Sequence, residues 1–379
     1  MLRRNEEAAK ERSAKKRSAV QLFLLLLMLS LTSVTQAQQA PPPLKLPAEP
    51  QLPLTVDRDP VPSPDEVNLG PGAQASQTPQ VISKEAGGYV IHQNVDEVLL
   101  SVTVLDSKDH LVTTLAGNDF KVSEDGVPQK VTVFRHEDLP VSLGILVDDS
   151  GSMQSKRAAV TKAALDLVRL LNPQDETFIV NFAEQPYLDQ DFTSDITKLN
   201  EGLNHIESRG GTALYDAVSA SADHMAQTAK RTRQVLLIIT DGVDNDSSSS
   251  LEETVRRVQD LGGPVVYAVG LLFEQDQKDP DKKQSMPRDE TREARRALNL
   301  LARETGGVAY FPKSLDQIDS VMAEVAKDVR SQYFLGYHST RAPELGGYRT
   351  VKVDVSAKGQ GHLSVRTRTG YYPKKTPAK

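Results

Sequence analysis

The sequence predicts an α/β protein built on a doubly wound, mostly parallel sheet, with a small accessory β domain formed by flanking N- and C-terminal strands. Three observations carry this. Continuous apolar runs, VSLGILVD (141–148), RQVLLIIT (233–240) and PVVYAVGLL (264–272), suit strands covered on both faces. Segments with apolar residues at helical spacing alternate with them. Strand-like alternation then flanks this region on both sides, within 96–136 and after 331.

Residues 1–37 open with Arg3, Arg4, Lys10, Arg12, Lys15, Lys16 and Arg17, continue with AVQLFLLLLMLSLTSV (19–34), and close on Thr35-Gln36-Ala37. Basic, apolar, then small is the order of a secretory signal peptide, with cleavage after Ala37. Retained, the same segment is a membrane anchor with its basic end in the cytoplasm. The apolar run is short of the ~20 residues that span a bilayer. Either way the remainder is exported, to periplasm, cell envelope or extracellular space. The chain has no cysteine, so the exported fold stands on its core without disulfides. Residues 38–87 are a Pro-rich linker that reads as a semi-extended spacer.

A β-strand unit is expected over 88–138. DEVLLSVTVLD (96–106) alternates, and two further runs surround Glu124-Asp125-Gly126, where Asp-Gly signals a hairpin. Over 139–331 the apolar patterning predicts helices at 155–171, 213–229, 250–261, 290–305 and 314–330. Strands at 176–183 and 307–311 join the three apolar runs. The charged stretch 274–290 reads as a solvated loop. Over 332–374 the segments SQYFLGYHS, YRTVKVDVSA and HLSVRTRTGYYP read as two or three strands. They are expected to pack with 88–138, since each piece is too small to bury much surface alone.

Net charge is −6 with acids and bases intermixed, and no basic stripe marks the body of the chain. Nucleic acid is therefore not an expected partner. The absence of cysteine excludes thiolate chemistry and Cys-type zinc sites. The seven histidines are scattered, with no pair at metal-binding spacing.

Oxygen donors gather where strands end. Asp148 closes the first buried strand, and Ser150 and Ser152 follow at alternate positions. Asp241 closes another strand, and Thr212 stands at a Gly-Gly turn that opens a helix. Open α/β sheets bind ligands beyond the carboxyl ends of their strands. If the two strands are neighbours, these groups converge. Two carboxylates and three hydroxyls suit a hard divalent cation, Mg²⁺ first, with Mn²⁺ or Ca²⁺ as alternatives. The carboxylates balance the ion and the hydroxyls add no charge, so an open position favours an incoming carboxylate. Taken alone, Ser150 and Ser152 also suit capping of the helix that follows. Capping does not account for Thr212 and Asp241. Asp149 is expected to face solvent and make the rim more acidic. Asp244 and Asp246 are expected in a solvated acidic loop, with a second-ion role as the alternative.

DDSGS, GGT and TDG in this order resemble the metal-ion-dependent adhesion site (MIDAS) of von Willebrand factor A domains. The resemblance covers 139–331. Asp148, Ser150 and Ser152 match Asp-x-Ser-x-Ser, Thr212 the later threonine and Asp241 the later aspartate. It implies a mostly parallel sheet with one antiparallel edge strand, a place 185–193 would fill. It implies metal contact by the three hydroxyls, and by the aspartates directly or through water. The flanks, EDGVPQKVTVFRHEDLP and SQYFLGY with GYY, resemble an exported bacterial group described as von Willebrand factor A-related and abundant in acidobacteria. The implied function is adhesion-type protein binding, with the metal capturing an Asp or Glu of a protein partner. Membrane contact enters only through a retained N-terminal anchor. The alternative is a structural or assembly component of the envelope in which the metal only stabilises. An enzyme is not expected, because the sequence has no His-Glu-x-x-His, Gly-x-Ser-x-Gly or Walker-type motif.

Overall fold

The structure, a computed structural model, describes residues 97–136, 138–170, 172–204, 210–273 and 288–373. The expected signal segment, the Pro-rich linker and most of the charged stretch 274–290 lie outside the described residues.

The first strands are β1 (Glu97–Leu105), β2 (Phe120–Glu124), β3 (Val127–Gln129) and β4 (Val131–Arg135). The β2–β3 hairpin turns on Asp125 and Gly126, with φ of 48° and 79°. Two successive left-handed residues match the twist of the flanking strands, which is why Asp-Gly serves here. The run after this turn divides at Lys130: β3 stays with β2, while β4 joins a different sheet.

The α/β unit follows as β5 (Val141–Asp148), α1 (Arg157–Leu170), β6 (Glu176–Phe182), β7 (Pro186–Thr193), α2 (Ile196–Asn204), α3 (Leu214–Thr228) and β8 (Arg233–Thr240). It continues as α4 (Leu251–Asp260), β9 (Val265–Gly270), α5 (Arg288–Thr305), β10 (Ala309–Tyr310) and α6 (Ile318–Arg330). The chain closes with β11 (Tyr333–His338), β12 (Arg349–Val355), β13 (Ser364–Arg366) and β14 (Gly370–Tyr371). Helix α2 has no counterpart in the sequence expectation.

Six strands form the central sheet in the order β10-β9-β8-β5-β6-β7. All neighbouring pairs are parallel except β6 and β7. Only residues 183–185 separate those two strands. That is far too short for the crossover a parallel pair needs, so β7 turns back as an antiparallel edge. Every residue of β5 is buried, because both faces of the sheet are covered. Leu143, Ile145 and Val147 point to a core shared with Val160 and Leu167 of α1, Leu199 of α2 and Val325 of α6. Leu146 points the other way, toward Val218 of α3, Val258 of α4 and Leu298 of α5. From β5 the chain winds outward through β6 and β7, then returns to β8 on the opposite side of β5. This reversal leaves the carboxyl ends of β5 and β8 side by side.

The flanking strands make two four-stranded antiparallel sheets, β13-β1-β11-β4 and β14-β12-β2-β3. β1 pairs with β11 and β2 with β12, so each sheet draws on both sides of the α/β unit. A shared core, including Leu100, Phe120, Tyr333, Tyr337 and Val353, lies between them. One buried carboxylate ties this region to the α/β unit. Asp328, on α6, is 3% exposed and accepts from Thr103 Oγ1 (3.0 Å), Tyr267 OH (3.1 Å) and Arg366 Nη2 (3.0 Å). Those donors lie on β1, β9 and β13. Removing a carboxylate from water costs several kcal/mol, and three donors offset that.

Candidate metal centre

Asp148 ends β5, and its side chain is almost fully buried at 1% exposure. Thr240 Oγ1 donates to its Oδ2 at 2.5 Å, and the Ser150 N–H donates to its Oδ1 at 2.8 Å. The second bond bends the chain back over the strand end. Burial pushes the Asp148 carboxyl up to about 6 from its ordinary 3.8. The two donated bonds pull against that rise, while the nearby Asp241 charge adds to it.

Ser150 stands at the N-cap position of a short 3₁₀ turn, Gly151–Met153, yet its side chain makes no capping bond. Its hydroxyl instead lies 3.1 Å from that of Ser152. Ser152 Oγ in turn donates to Asp241 Oδ1 at 2.7 Å. The DxSxS turn thus bridges the ends of β5 and β8 through side-chain oxygens. Gly151 and Ser152 are exposed, so the cluster opens to solvent here.

Thr212 enters from the loop before α3 and is 3% exposed. Its N–H donates to Asn245 Oδ1 (2.8 Å), and its carbonyl accepts from the N–H groups of Asn245 (3.0 Å) and Asp246 (3.3 Å). On the other side the Ala213 N–H donates to Ala183 O at 2.6 Å. The glycine pair before Thr212 is required by this clamp. Gly210 has φ +81°, and a side chain on Gly211 would strike Asn245 and Asp246.

Gly242, directly after Asp241, leaves a cradle. A Cβ built there would lie 3.4 Å from Thr212 Oγ1 and 3.8 Å from Asp148 Oδ2. Thr212 and Asp148 therefore border one small space that no side chain fills. The five residues singled out in the sequence thus come together as a group of two and a group of three. Asp148 and Thr212 flank the cradle, while Ser150, Ser152 and Asp241 form a hydrogen-bonded chain beside it.

The donor chemistry suits a hard cation. Among the described residues no group of three or more His, Cys, Asp or Glu side chains is placed to hold a metal. The oxygen set here combines two carboxylates with three hydroxyls, all of them hard donors, with no thiolate or imidazole among them.

Several contributors were not found from sequence. Thr240 holds Asp148, and Asn245 holds Thr212. The Lys156 ammonium pairs with Asp241 Oδ2, and the Arg157 guanidinium pairs with Asp149 Oδ1. Asp149 differs from expectation. It is 5% exposed, its N–H donates to Phe182 O at 2.8 Å, and Arg157 neutralises it, so it does not acidify a solvated rim. Asp244 also differs. It accepts from the Tyr215 N–H (3.1 Å) and from Ser247 Oγ (2.5 Å), pinning its loop to the start of α3, and burial raises its carboxyl. Basic residues beside a motif and an acid after a strand were visible signals, but their partners were not.

The chain resembles several solved structures. One is a von Willebrand factor type A protein from Catenulispora acidiphila, at 13% identity and a TM-score of 0.42, covering 73% of this chain and 74% of that one. Another is BatB from Bacteroides thetaiotaomicron, at 19% identity and a TM-score of 0.38, covering 49% of this chain and 98% of that one. A third is proximal thread matrix protein 1 from the mussel byssus, solved with a zinc-occupied MIDAS motif. It shows 16% identity and a TM-score of 0.41, covering 54% of this chain. The chain spans about half the length of that byssus protein, 49%. No curated protein matches. The family model of the von Willebrand factor type A domain matches residues 143–243, from β5 to the loop after β8, a stretch that contains all five oxygen donors. Within residues 143–243, strands β5 to β8 and the cluster at their ends are thus the part of the chain that matches the von Willebrand factor type A domain model.

Proposed function

We propose that this cluster is a metal-ion-dependent adhesion site through which the protein binds an acidic side chain of a protein partner. Asp148, Ser150, Ser152, Thr212 and Asp241 would hold the ion, Mg²⁺ in the first instance, with Mn²⁺ or Ca²⁺ also suited to all-oxygen donors. The observation that carries this reading is convergence. At the reversal point of the sheet, Asp148 and Thr212 border the Gly242 cradle, and Ser150, Ser152 and Asp241 are hydrogen-bonded to one another at the adjoining strand ends.

Each residue has a role in the reading. Asp148, held by Thr240 and the Ser150 N–H, presents a fixed carboxylate. The Ser150 and Ser152 hydroxyls add ligands without charge, and Ser152 orients Asp241. Thr212 is held in place by Asn245. A bound divalent ion supplies a Lewis-acidic position that a partner's Asp or Glu carboxylate can occupy. The reading needs neither a nucleophile nor a base, and we infer a binding module, not an enzyme.

We further infer an exported protein. The basic, apolar, small-residue order of 1–37 supports it, with periplasm, cell envelope or extracellular space as the destination. The flanks 124–140 and 331–372 support kinship with the exported von Willebrand factor A-related group. Among the described residues no helix is long and apolar enough to cross a membrane.

Calorimetric titration of Mg²⁺ and Mn²⁺ into the chelator-stripped full chain tests the site. Saturable binding is expected, weakened about tenfold or more by Asp148→Ala and by Thr212→Ala with the circular dichroism spectrum unchanged. Equal binding by wild type and both variants would overturn the assignment.

A further inference from the structure

We propose that Lys156 is a tethered competitor of the metal: its ammonium occupies Asp241 and must leave for the ion to use that carboxylate. This rests on the metal-site reading above and adds a control on its affinity.

The geometry is specific. Asp241 has a fully buried side chain, and both of its oxygens are engaged. Oδ1 accepts from Ser152 at 2.7 Å, and Oδ2 is paired with Lys156 Nζ. A buried carboxylate without a partner is strongly disfavoured, so the ammonium does for the metal-free site part of what a cation does for the loaded one. A divalent ion approaching Asp241 therefore meets a positive charge already there. At the few ångströms involved, and with the effective dielectric of a protein surface, that repulsion is well above thermal energy.

The lysine is built to move without disturbing the fold. Its N–H donates to Met153 O at 2.9 Å, and its carbonyl accepts from the Val160 N–H at 3.1 Å, so its backbone is fixed at the entry to α1. The side chain is a flexible four-carbon stem that is 18% exposed at the rim. The Phe273 ring centroid lies 5.8 Å from Nζ in this paired position, so an aromatic face borders the ammonium on one side. Leaving Asp241 thus requires rotamer changes alone.

Arg157 provides the contrast. It carries the same charge one position along, but it pairs with Asp149, which is outside the donor set. Loss of Arg157 changes the local field by one charge and frees no donor. Loss of Lys156 does both.

The test is Mn²⁺ titration, by calorimetry and by electron paramagnetic resonance of the free ion. It uses the full chain as wild type, Lys156→Met, Lys156→Gln, Arg157→Met and Asp148→Ala. The Lys156 variants are expected to bind Mn²⁺ about tenfold tighter or more than wild type, and Arg157→Met within about threefold of it. Addition of Asp148→Ala should abolish the gain. The Mn²⁺-induced rise in Tm should also be larger for the Lys156 variants. This second readout still serves if the unpaired Asp241 unfolds them without metal. Unchanged or weaker binding by both Lys156 variants overturns the proposal, as does an equal gain in Arg157→Met. Asp148-dependent binding in wild type alongside either result leaves the metal site standing and removes only the role of Lys156. No Asp148-dependent binding in any variant removes both.

Discussion

The sharpest consequence of the site's geometry concerns Asp148 when no metal is present. Its carboxyl, buried at the end of β5, is held near 6 against 3.8 for an unburied aspartate. Below 3.8 the group is protonated in folded and unfolded chains alike, and it has no effect on stability. Between 3.8 and 6 the folded state keeps a proton that the unfolded chain has released, so stability falls as pH rises through this window. Above 6 both states are charged and the folded one carries the full penalty, about 3 kcal/mol. Asp148→Asn removes the charge and can keep both bonds. Its carbonyl oxygen can accept from the Ser150 N–H, and its amide can donate to Thr240 Oγ1. In chelator at pH 7.5, urea denaturation is therefore expected to find Asp148→Asn more stable than wild type by about 1–3 kcal/mol. The gap should close as pH falls to about 4. With saturating Mg²⁺ the order should reverse, because only wild type gains from binding. A variant that is equally or less stable than wild type at pH 7.5 in chelator would refute the reasoning. So would a gap that persists unchanged at pH 4.

Two further substitutions probe the frame that positions the site. Asp328→Ala strips the buried carboxylate from Thr103, Tyr267 and Arg366, and breaking a buried pair in this way costs about 3–5 kcal/mol. A loss below about 1 kcal/mol in urea denaturation would show that this junction contributes little. Gly144→Ala places a Cβ 2.5 Å from Leu236 Cδ2 and 2.6 Å from Phe178 Cε1, inside contact distance on β5. It is expected to cost about 1–3 kcal/mol and to lower Tm, and wild-type stability would contradict the packing around β5.

Much of the central sheet was legible because its signal is local. The runs 141–148, 233–240 and 264–272 carry apolar residues at consecutive central positions, and a strand covered on both faces is what such a run suits. Helix α2 escaped notice because it is short, with three buried positions, Leu199, Gly202 and Leu203, of which two are apolar side chains of any size. The run after Gly126 was legible as strand, but its division at Lys130 between two sheets was not. Alternation says which face a residue takes and nothing about which strand lies beside it. Asp149 and Asp244 read as exposed acids because the sequence shows their charge without their partners. Arg157 covers the first, and the start of α3 receives the second.

From the sequence alone came the oxygen donors Asp148, Ser150, Ser152, Thr212 and Asp241, their order, and the strand ends on which the carboxylates stand. Those are properties of short segments, set by periodicity and residue chemistry. The tertiary structure decided that β5 and β8 are neighbours, that Gly242 leaves room between Asp148 and Thr212, and that Lys156 covers Asp241. Strand order depends on how helices cover the two faces of a sheet, and a buried charge takes whichever partner the packed chain brings to it. Lys156 and Asp241 are 85 residues apart, a distance over which no local pattern reports.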